Sequence, residues 1–217
     1  MSIRINKVHF PVTTLGPGRR LGIWFQGCSL HCPGCVSRDT WQSGPEHKTS
    51  VKALLVHARD LTGGAPDGVT ISGGEPFEQP EALLRLLKGL SQWPARQRGE
   101  LDVLVYSGLS LETLESRHKV ILALVDAVIA DPFVARLAPG GRWRGSANQR
   151  ISVQTALGRS RFPGGSKTDG SEPETLQLTV DERHVWIIGI PRPGDLTKVE
   201  RAAARRGITL GRVSWHA

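Results

Sequence analysis

The sequence is poor in cysteine, with three in 217 residues, and all three lie within residues 28–35. An odd number of cysteines so close together argues against a disulfide framework and indicates a metal site. The chain also lacks any run of about 18 apolar residues, so a membrane-spanning helix is not expected. Its first ten residues, MSIRINKVHF, lack the apolar block of a secretory signal. We therefore expect a cytoplasmic protein with no membrane association.

A long basic run is absent as well, although the net charge is +8. The arginines are spread along the chain in short pairs, such as Arg96 with Arg98 and Arg205 with Arg206, and few aromatic residues lie between them. A basic surface can attract nucleic acid or an acidic protein. This spacing is more typical of a solvated, arginine-rich surface, so the charge alone does not predict nucleic-acid binding.

The length and the 39% hydrophobic content suit one globular domain, residues 1–217. Apolar runs typical of strands occur at 68–72, 101–107, 127–131, 176–180 and 184–190, and another at 22–26 leads into the cysteines. Helical patterns occur at 51–61, from Pro80 to Leu90, at 110–124 with Ser110 as N-cap, and from Asp195 as N-cap to Gly207. This alternation predicts an α/β fold with a mostly parallel sheet. A polar Gly, Pro and Ser-rich stretch predicts a flexible loop at about 160–175.

The cysteines follow the pattern Cys28-x-x-x-Cys32-x-x-Cys35. Thiolates hold iron–sulfur clusters, and four cysteines would complete a [4Fe–4S] cube. With three, one iron keeps an open position, which a reactive cluster needs and an electron carrier does not. The alternative is a structural zinc site of the Cys3His type with His31 or another histidine. Compact zinc sites usually combine two separated ligand pairs, and no second group of ligands is evident, so the pattern favours a cluster.

A second motif, Gly73-Gly74-Glu75-Pro76, directly follows the strand predicted at 68–72. Two glycines allow a close approach of the backbone to a ligand, and a glutamate at a strand end could accept hydrogen bonds from an ammonium group. Taken alone, the motif is at least as consistent with an ordinary strand-to-helix turn. Parallel sheets gather their functional residues at the carboxyl ends of the strands. The cysteines and this motif follow predicted strands, and Ser107 and Asp131 are the last residues of two others, so we expect them to lie together.

Together, the two motifs resemble the radical S-adenosylmethionine (SAM) superfamily. In that superfamily three cysteines bind three irons of the cluster, while the amino and carboxylate groups of SAM chelate the fourth. The resemblance implies that catalysis proceeds through a cluster held by Cys28, Cys32 and Cys35. It also implies SAM contacts at Gly34, Gly73, Gly74, Glu75, Ser107 and Asp131.

A narrower resemblance is to the activating proteins of anaerobic ribonucleotide reductases, which install a glycyl radical on a partner enzyme. It rests on motifs that occur in order over about residues 16–150: Gly27-Cys28, Cys32-Pro33-Gly34-Cys35, Thr40-Trp41, Ser72–Phe77, Tyr106-Ser107-Gly108, Asp131-Pro132-Phe133 and Arg144–Arg150. The last motif supplies candidate substrate or partner contacts at Arg144, Asn148, Gln149 and Arg150, although it could equally be an ordinary hydrogen-bonded loop. The resemblance implies a glycyl-radical enzyme as partner and an external flavodoxin-like or ferredoxin-like electron donor.

The chain is short for a closed eight-stranded barrel of about 250 residues. We therefore expect a partial (incomplete) β/α barrel, open on one side, which would admit a loop of another protein. One alternative is a radical SAM enzyme that modifies a small molecule or peptide directly. A more remote alternative, favoured only by the charge, is a non-catalytic zinc-binding, nucleic-acid-binding module.

Overall fold

The protein, described by a computed structural model, is traced here over residues 1–63, 65–163, 176–180, 184–211 and 213–215. The strands are β1 (Ser2–Val12), β2 (Arg20–Phe25), β3 (Lys48–Ser50), β4 (Gly68–Gly73), β5 (Asp102–Tyr106), β6 (Ala127–Ala130), β7 (Arg150–Val153), β8 (Gln177–Val180) and β9 (Val185–Ile188). The helices are α1 (Val51–Thr62), α2 (Pro80–Leu90), α3 (Pro94–Gln97), α4 (Leu111–Arg117), α5 (Lys119–Leu122), α6 (Ala156–Arg161) and α7 (Asp195–Ala204). Within these ranges, no helix has the length and apolar character needed to cross a membrane.

Seven strands form one sheet in the order β3-β1-β2-β4-β5-β6-β7. Strands β2, β4, β5 and β6 pair in parallel, while β1 pairs antiparallel with both β2 and β3, and β7 pairs antiparallel with β6. Consequently β2 to β6 all run in one direction, and only β1 and β7 run in the other. The predicted α/β fold with a mostly parallel sheet is confirmed.

Helices α1 to α5 cover one face of the sheet. Their apolar sides, such as Leu54 of α1 and Leu83 of α2, join one core with Ile23, Ile71 and Val105 of the central strands. Burial of these side chains is the main force that fixes the helices on the sheet. The sheet and helices therefore share the core that the periodicity predicts.

Two helices differ from the sequence prediction. The helix predicted at 110–124 begins as expected, with the Ser110 side chain accepting a hydrogen bond from the Thr113 N–H, but it is interrupted at His118, whose φ is −126°. Helix α7 is preceded by Gly194, so the prediction that Asp195 is its N-cap is wrong by one residue. The Asp195 carboxylate instead accepts a hydrogen bond from the Arg192 N–H at 2.9 Å.

The opposite face of the sheet, called the inner face below, is covered by residues from the C-terminal part of the chain. Phe162 packs against Leu104 and Ile129, and Ile188 packs against Val12 and Leu15. Strands β8 and β9, predicted at 176–180 and 184–190, form a separate antiparallel hairpin that carries Ile188. The predicted flexible loop at 160–175 lies mostly outside the described residues, and the single domain over 1–217 stays a prediction.

A buried ion pair holds the central strands at their amino ends. Arg20 begins β2 and is fully buried, and its guanidinium donates to the Asp102 carboxylate of β5 at 2.5 and 3.0 Å. It also donates to Thr70 Oγ1 of β4 at 2.6 Å. Gly68 leaves the space that the guanidinium occupies, because a Cβ there would lie 2.3 Å from Arg20 Nη1. This cluster lies at the end of the sheet opposite the cysteines.

Candidate functional site

The cysteine loop, residues 27–41, leaves β2 and is closed at its base by main-chain hydrogen bonds. The Gly27 N–H donates to the Thr40 carbonyl at 2.7 Å, and the Cys28 N–H donates to the Trp41 carbonyl at 3.1 Å. The Gln26 side chain adds hydrogen bonds to the carbonyls of Asp39 and Gln42. These bonds fix where the loop starts and ends.

Cys32 and Cys35 lie at the two ends of a tight turn. The Cys35 N–H donates to the Cys32 carbonyl at 3.1 Å, and Gly34 has a φ of +79°. Proline followed by a residue with positive φ is the pattern of a type II turn, for which glycine is preferred. A Cβ on Gly34 would also lie 3.2 Å from the Ala135 Cβ, so a small residue is favoured there by packing as well.

The cysteine loop lies across the carboxyl ends of β4, β5 and β6. Glu78, just after β4, accepts hydrogen bonds from the Ser29 N–H and Oγ at 2.7 and 2.6 Å. Leu30 packs on Gly108, just after β5, where a Cβ would come within 2.4 Å of Leu30 Cδ1. Gly34 faces Phe133 and Ala135 after β6. The strand ends thus meet at one edge of the sheet, as the sequence predicts.

Gly73 and Gly74 bring the end of β4 against the base of the cysteine loop. The Gly74 N–H donates to the Phe25 carbonyl at 2.9 Å, and the Glu75 N–H donates to the Gly27 carbonyl at 2.8 Å. A Cβ on Gly73 would lie 2.6 Å from the Phe25 main chain, and one on Gly74 would lie 2.2 Å from the Gly27 oxygen. The two glycines are therefore required for contact between two segments of the protein, whether or not they also approach a ligand.

Glu75 and Ser107 form one hydrogen-bond network between the ends of β4 and β5. The Glu75 carboxylate is 1% exposed and accepts from the Phe77 N–H at 3.0 Å, Ser107 Oγ at 2.9 Å and the Gly108 N–H at 2.7 Å. Burial raises the pKa of Glu75 to about 7, against the lowering effect of these donors. A cationic group placed beside this carboxyl would favour its ionised form, which suits a site for an ammonium group.

The chemistry of the thiols fits a cluster with three protein ligands. Burial raises the pKa of the Cys28 thiol, while the N–H groups of Leu30 and His31 act in the opposite direction by hydrogen bonding to the sulfur. Burial likewise raises the pKa of Cys35, and hydrogen bonds from Ser37 and Trp41 lower it. N–H donors directed at sulfur stabilise a thiolate, the form that binds iron. The chain has no fourth cysteine to close a cube.

The described ranges contain no group of three Cys, His, Asp or Glu side chains that already converges as a set of metal ligands. His31, the candidate fourth ligand of a zinc site, has a φ of +44° and stacks its ring on that of Trp41 with centroids 4.5 Å apart. The three thiols therefore share a loop, and binding a metal would require them to turn toward one another.

Asp131 follows β6 in the left-handed region, with a φ of +81°. Its carboxylate accepts from Arg150 Nε at 2.6 Å and from Arg150 Nη2 at 2.8 Å, and the same guanidinium binds both carboxylate oxygens of Glu112 at 2.6 and 2.9 Å. The structure thus shows this carboxylate bound to Arg150, and the SAM contact implied for Asp131 stays a prediction.

The segment 144–150 mainly stabilises the loop after β6. The Gln149 side chain accepts from the Gly145 N–H at 2.8 Å and donates to the Asp131 carbonyl at 3.1 Å. The Asn148 amide donates to the Pro132 carbonyl at 2.8 Å. These bonds favour the hydrogen-bonded loop interpretation, and they hold the residues next to the cysteine turn.

Two atoms of this segment have no hydrogen-bond partner among the described residues: Arg144 Nε and Asn148 Oδ1, both buried. The Arg144 side chain makes one bond, from Nη1 to the Gln149 carbonyl at 3.2 Å. A role of Arg144, Asn148, Gln149 and Arg150 in contacting a substrate or partner stays a prediction.

The Glu112 carboxylate gives a direct test of this ion-pair network. Hydrogen bonds from Arg150 hold the pKa of Glu112 at about 2. Its contribution to stability is therefore complete above the unfolded pKa of about 4.3 and is lost as the pH falls toward 2. In Arg150→Met, carboxyl NMR titration should show the pKa of Glu112 rising toward its ordinary value. Glu100, which pairs with Arg98, is the internal control, and an unchanged Glu112 pKa would contradict the network.

Comparison with known proteins identifies the family of the chain. The sequence profile of the 4Fe–4S single cluster domain matches residues 14–152, so the chain belongs to that family. It is 30% identical over 147 residues to the anaerobic ribonucleoside-triphosphate reductase-activating protein of Escherichia coli K12, a match that covers 66% of this chain and 94% of the relative. The protein of the same name from Vibrio cholerae is 29% identical over 147 residues, which again cover 66% of this chain and 94% of the relative.

A shorter match is to the pyruvate formate-lyase-activating enzyme of Clostridium pasteurianum, with 40% identity over 91 residues, 39% of this chain and 37% of the relative. The resemblance to radical SAM activating proteins that the sequence motifs indicate is confirmed by these matches.

Proposed function

We propose that the protein is a radical SAM enzyme that installs a glycyl radical on a partner enzyme. The observation that carries this proposal is the cysteine loop, which has three thiols, lies on the ends of parallel strands and contacts the Gly-Gly-Glu turn, in a chain of the 4Fe–4S single cluster family. The names of its relatives make an anaerobic ribonucleoside-triphosphate reductase the first candidate partner. We propose the partial β/α barrel as the finer description of the fold.

In this proposal Cys28, Cys32 and Cys35 are the cluster ligands, and the missing fourth cysteine leaves one iron for SAM. A cluster held there would supply one-electron reductive cleavage of SAM and, through it, abstraction of a hydrogen atom from the substrate. The protein binds and orients the cluster and SAM, and it excludes water from the site. An external flavodoxin-like or ferredoxin-like protein supplies the electron, and the cytoplasm is the expected location.

The same geometry supports the proposed SAM contacts. Glu75 presents a buried carboxyl to the methionine ammonium group, and Ser107 holds that carboxyl through its hydroxyl. Gly34, Gly73 and Gly74 add no side chain beside the cysteines. The proposal assigns SAM to main-chain groups of this region other than the Gly74 N–H, which donates to the Phe25 carbonyl. We propose the Asp131 contact with SAM as well, and it requires Arg150 to release the carboxylate that it binds at 2.6 and 2.8 Å.

The test is anaerobic reconstitution with iron and sulfide, followed by SAM and dithionite, with 5′-deoxyadenosine measured by mass spectrometry. Wild type should form 5′-deoxyadenosine, and Cys32→Ser should fall to background because it removes a thiolate ligand. His31→Asn is the matched control, since asparagine tolerates a positive φ. It should keep cluster and activity, whereas a Cys3His zinc site would lose its metal.

A fully loaded wild-type cluster that forms no 5′-deoxyadenosine would refute the enzyme assignment. A glycyl-radical signal in electron paramagnetic resonance, after mixing with a candidate reductase, separates activation of a partner from direct modification of a small molecule. Formation of 5′-deoxyadenosine without that signal would favour direct modification of a small molecule.

A further inference from the structure

Two arginines are buried among the described residues, and they differ in their partners. Arg20 is 0% exposed, and its guanidinium forms an ion pair with the Asp102 carboxylate. Arg144 is 5% exposed, and its side chain makes one hydrogen bond, from Nη1 to the neutral Gln149 carbonyl at 3.2 Å. Within the part of the chain that the structure describes, no carboxylate pairs with Arg144. A buried cation is costly unless a negative charge compensates it.

One edge of the Arg144 guanidinium, formed by Nε and Nη2, has no hydrogen-bond partner among the described residues. Nε is buried, whereas Nη2 is not fully buried and is the end that a ligand can reach. The two N–H groups of such an edge together bind both oxygens of a carboxylate or a phosphate. Arg150 uses the same edge for Asp131, with Nε and Nη2 at 2.6 and 2.8 Å from the two carboxylate oxygens.

The guanidinium of Arg144 lies at the carboxyl end of β6. The Gln149 carbonyl that it binds belongs to the residue directly before Arg150. Arg150 in turn pairs with Ala130, the last residue of β6. Trp143, directly before Arg144, packs on the inner face of the sheet. Arg144 is therefore positioned where the inner face meets the strand ends, at the same edge of the sheet as the cysteines.

The same segment touches the turn of the cysteine loop through one aromatic ring. A Cβ on Gly145 would lie 3.0 Å from Phe133 Cδ2, and a Cβ on Gly34 would lie 3.4 Å from Phe133 Cε1. The Phe133 ring thus contacts both the residue after Arg144 and the residue between two of the cysteines. A group bound by Arg144 would therefore lie beside the candidate site.

The loop that carries Arg144 is fixed by its own hydrogen bonds. The Arg144 N–H donates to the Gly141 carbonyl at 3.1 Å. Ser146 is fully buried, and its Oγ accepts from the Val134 N–H at 3.1 Å. A side chain that is held in place before binding loses less conformational entropy when it binds a ligand. The unpartnered edge is therefore preorganised for binding.

We propose that the Nε and Nη2 edge of Arg144 is an oxyanion subsite, which takes a carboxylate or phosphate group of a molecule other than SAM. In the radical SAM superfamily the carboxylate of SAM is a ligand of the open iron, so the subsite serves the second molecule that the site binds. That this molecule is the substrate or partner rests on the proposed function, whereas the anion binding itself does not. A negative charge fixed there would orient the second molecule beside the cysteine loop.

The test is a titration of the cluster-free full chain with sodium acetate and, separately, with sodium phosphate, each against sodium chloride at equal ionic strength. The probe is the Nε–H signal of Arg144 in nuclear magnetic resonance, identified by its loss in Arg144→Lys. We expect this signal to shift downfield and to saturate, and the anion that acts at the lower concentration separates a carboxylate from a phosphate ligand. The Nε–H signal of Arg150, which is already bound to Asp131, is the internal control and should not move.

A second measurement uses the thermal unfolding midpoint of the cluster-free chain. The anion that shifts the Arg144 signal should raise the midpoint of wild type above its value in chloride, because a ligand of the folded state stabilises that state. Arg144→Met should lose this increase. Arg136→Met removes an exposed arginine that also follows β6, and as the matched control it should keep the increase.

The proposal is overturned if neither anion moves the Arg144 signal, or if the midpoint rises equally in wild type and Arg144→Met. If Arg144→Met fails to fold, Arg144→Lys replaces it, because lysine keeps the charge and lacks the two-N–H edge.

Assignment of this edge to SAM itself would overturn the proposal as well. Equilibrium dialysis of the cluster-loaded chain should give Arg144→Met an affinity for SAM close to that of wild type. A loss of about tenfold or more, the size expected for a hydrogen bond to a charged group, would assign the edge to the SAM carboxylate. Absence of 5′-deoxyadenosine from loaded wild type is a separate result: it refutes the proposed function and leaves the anion titration valid, so the two failures are distinguishable.

Discussion

Replacement of Gly74 by alanine is expected to prevent stable cluster binding, although it adds a single methyl group. The added carbon would lie 2.2 Å from the Gly27 carbonyl oxygen. That oxygen belongs to the main chain and cannot rotate away, so the Glu75-to-Gly27 hydrogen bond at 2.8 Å must break or the cysteine loop must move. Gly74 has no positive φ, so the effect is purely one of space. Overpacking of this kind costs about 1–3 kcal/mol or more.

The measurement is iron and sulfide content after anaerobic reconstitution, together with 5′-deoxyadenosine formation. Gly211→Ala is the matched control, because a Cβ there meets nothing within 4 Å and the residue has no positive φ. We expect Gly211→Ala to load and react as wild type does. Wild-type cluster content in Gly74→Ala would show that the loop tolerates displacement at its base and would contradict the prediction.

The second large effect is expected at the other end of the sheet. Asp102→Ala leaves the Arg20 guanidinium fully buried without a counter-charge. Removing one partner of a buried ion pair costs about 3–5 kcal/mol. The urea unfolding midpoint of the cluster-free chain should therefore fall strongly, while folded molecules at low temperature should still bind the cluster, since this pair is remote from the cysteines.

The exposed pair Arg98–Glu100 is the control, with side chains 59% and 57% exposed. Exposed pairs contribute little because water screens them, so Glu100→Ala should leave the midpoint unchanged within error. The double variant Arg20→Met with Asp102→Ala should recover part of the loss, because no charge is then left buried. Equal midpoints for Asp102→Ala and Glu100→Ala would show that Arg20 finds another partner.

The sequence predicts the central part of the fold well and its margins poorly. Strands β4, β5 and β6 are buried on both faces and appear as short apolar runs, and α1 and α2 have a clear helical period. Strand β1 mixes polar with apolar residues that are mostly half-buried, and β7 has four residues. In β1 the apolar alternation of Ile3 and Ile5 shifts by one residue before Val8, Phe10 and Val12, where the register with β2 is irregular, and β7 is too short to show a period. Their existence depends on pairing with distant neighbours.

The candidate site shows the same division. The cysteine pattern and the Gly-Gly-Glu turn are local signals, and the structure brings them together. Glu78, which binds Ser29, and Gln79, which binds the Gln26 carbonyl, were missed because single polar residues carry no spacing signal. The orientation of the Asp131 carboxylate could not be foreseen either, because it depends on the antiparallel pairing that places Arg150 beside Ala130.

The hydrogen bonds that close the base of the cysteine loop have a consequence for how the site can be modified. Gln26, Gly27 and Cys28 all find their partners within the polypeptide. In zinc-finger-like proteins metal binding supplies the folding energy. Here the partners at the base of the loop are all protein groups, so these bonds do not themselves depend on the group that the three thiols hold. The position of the loop and its grip on an inorganic centre can therefore be altered separately, the first at Gln26 and the second at the cysteines.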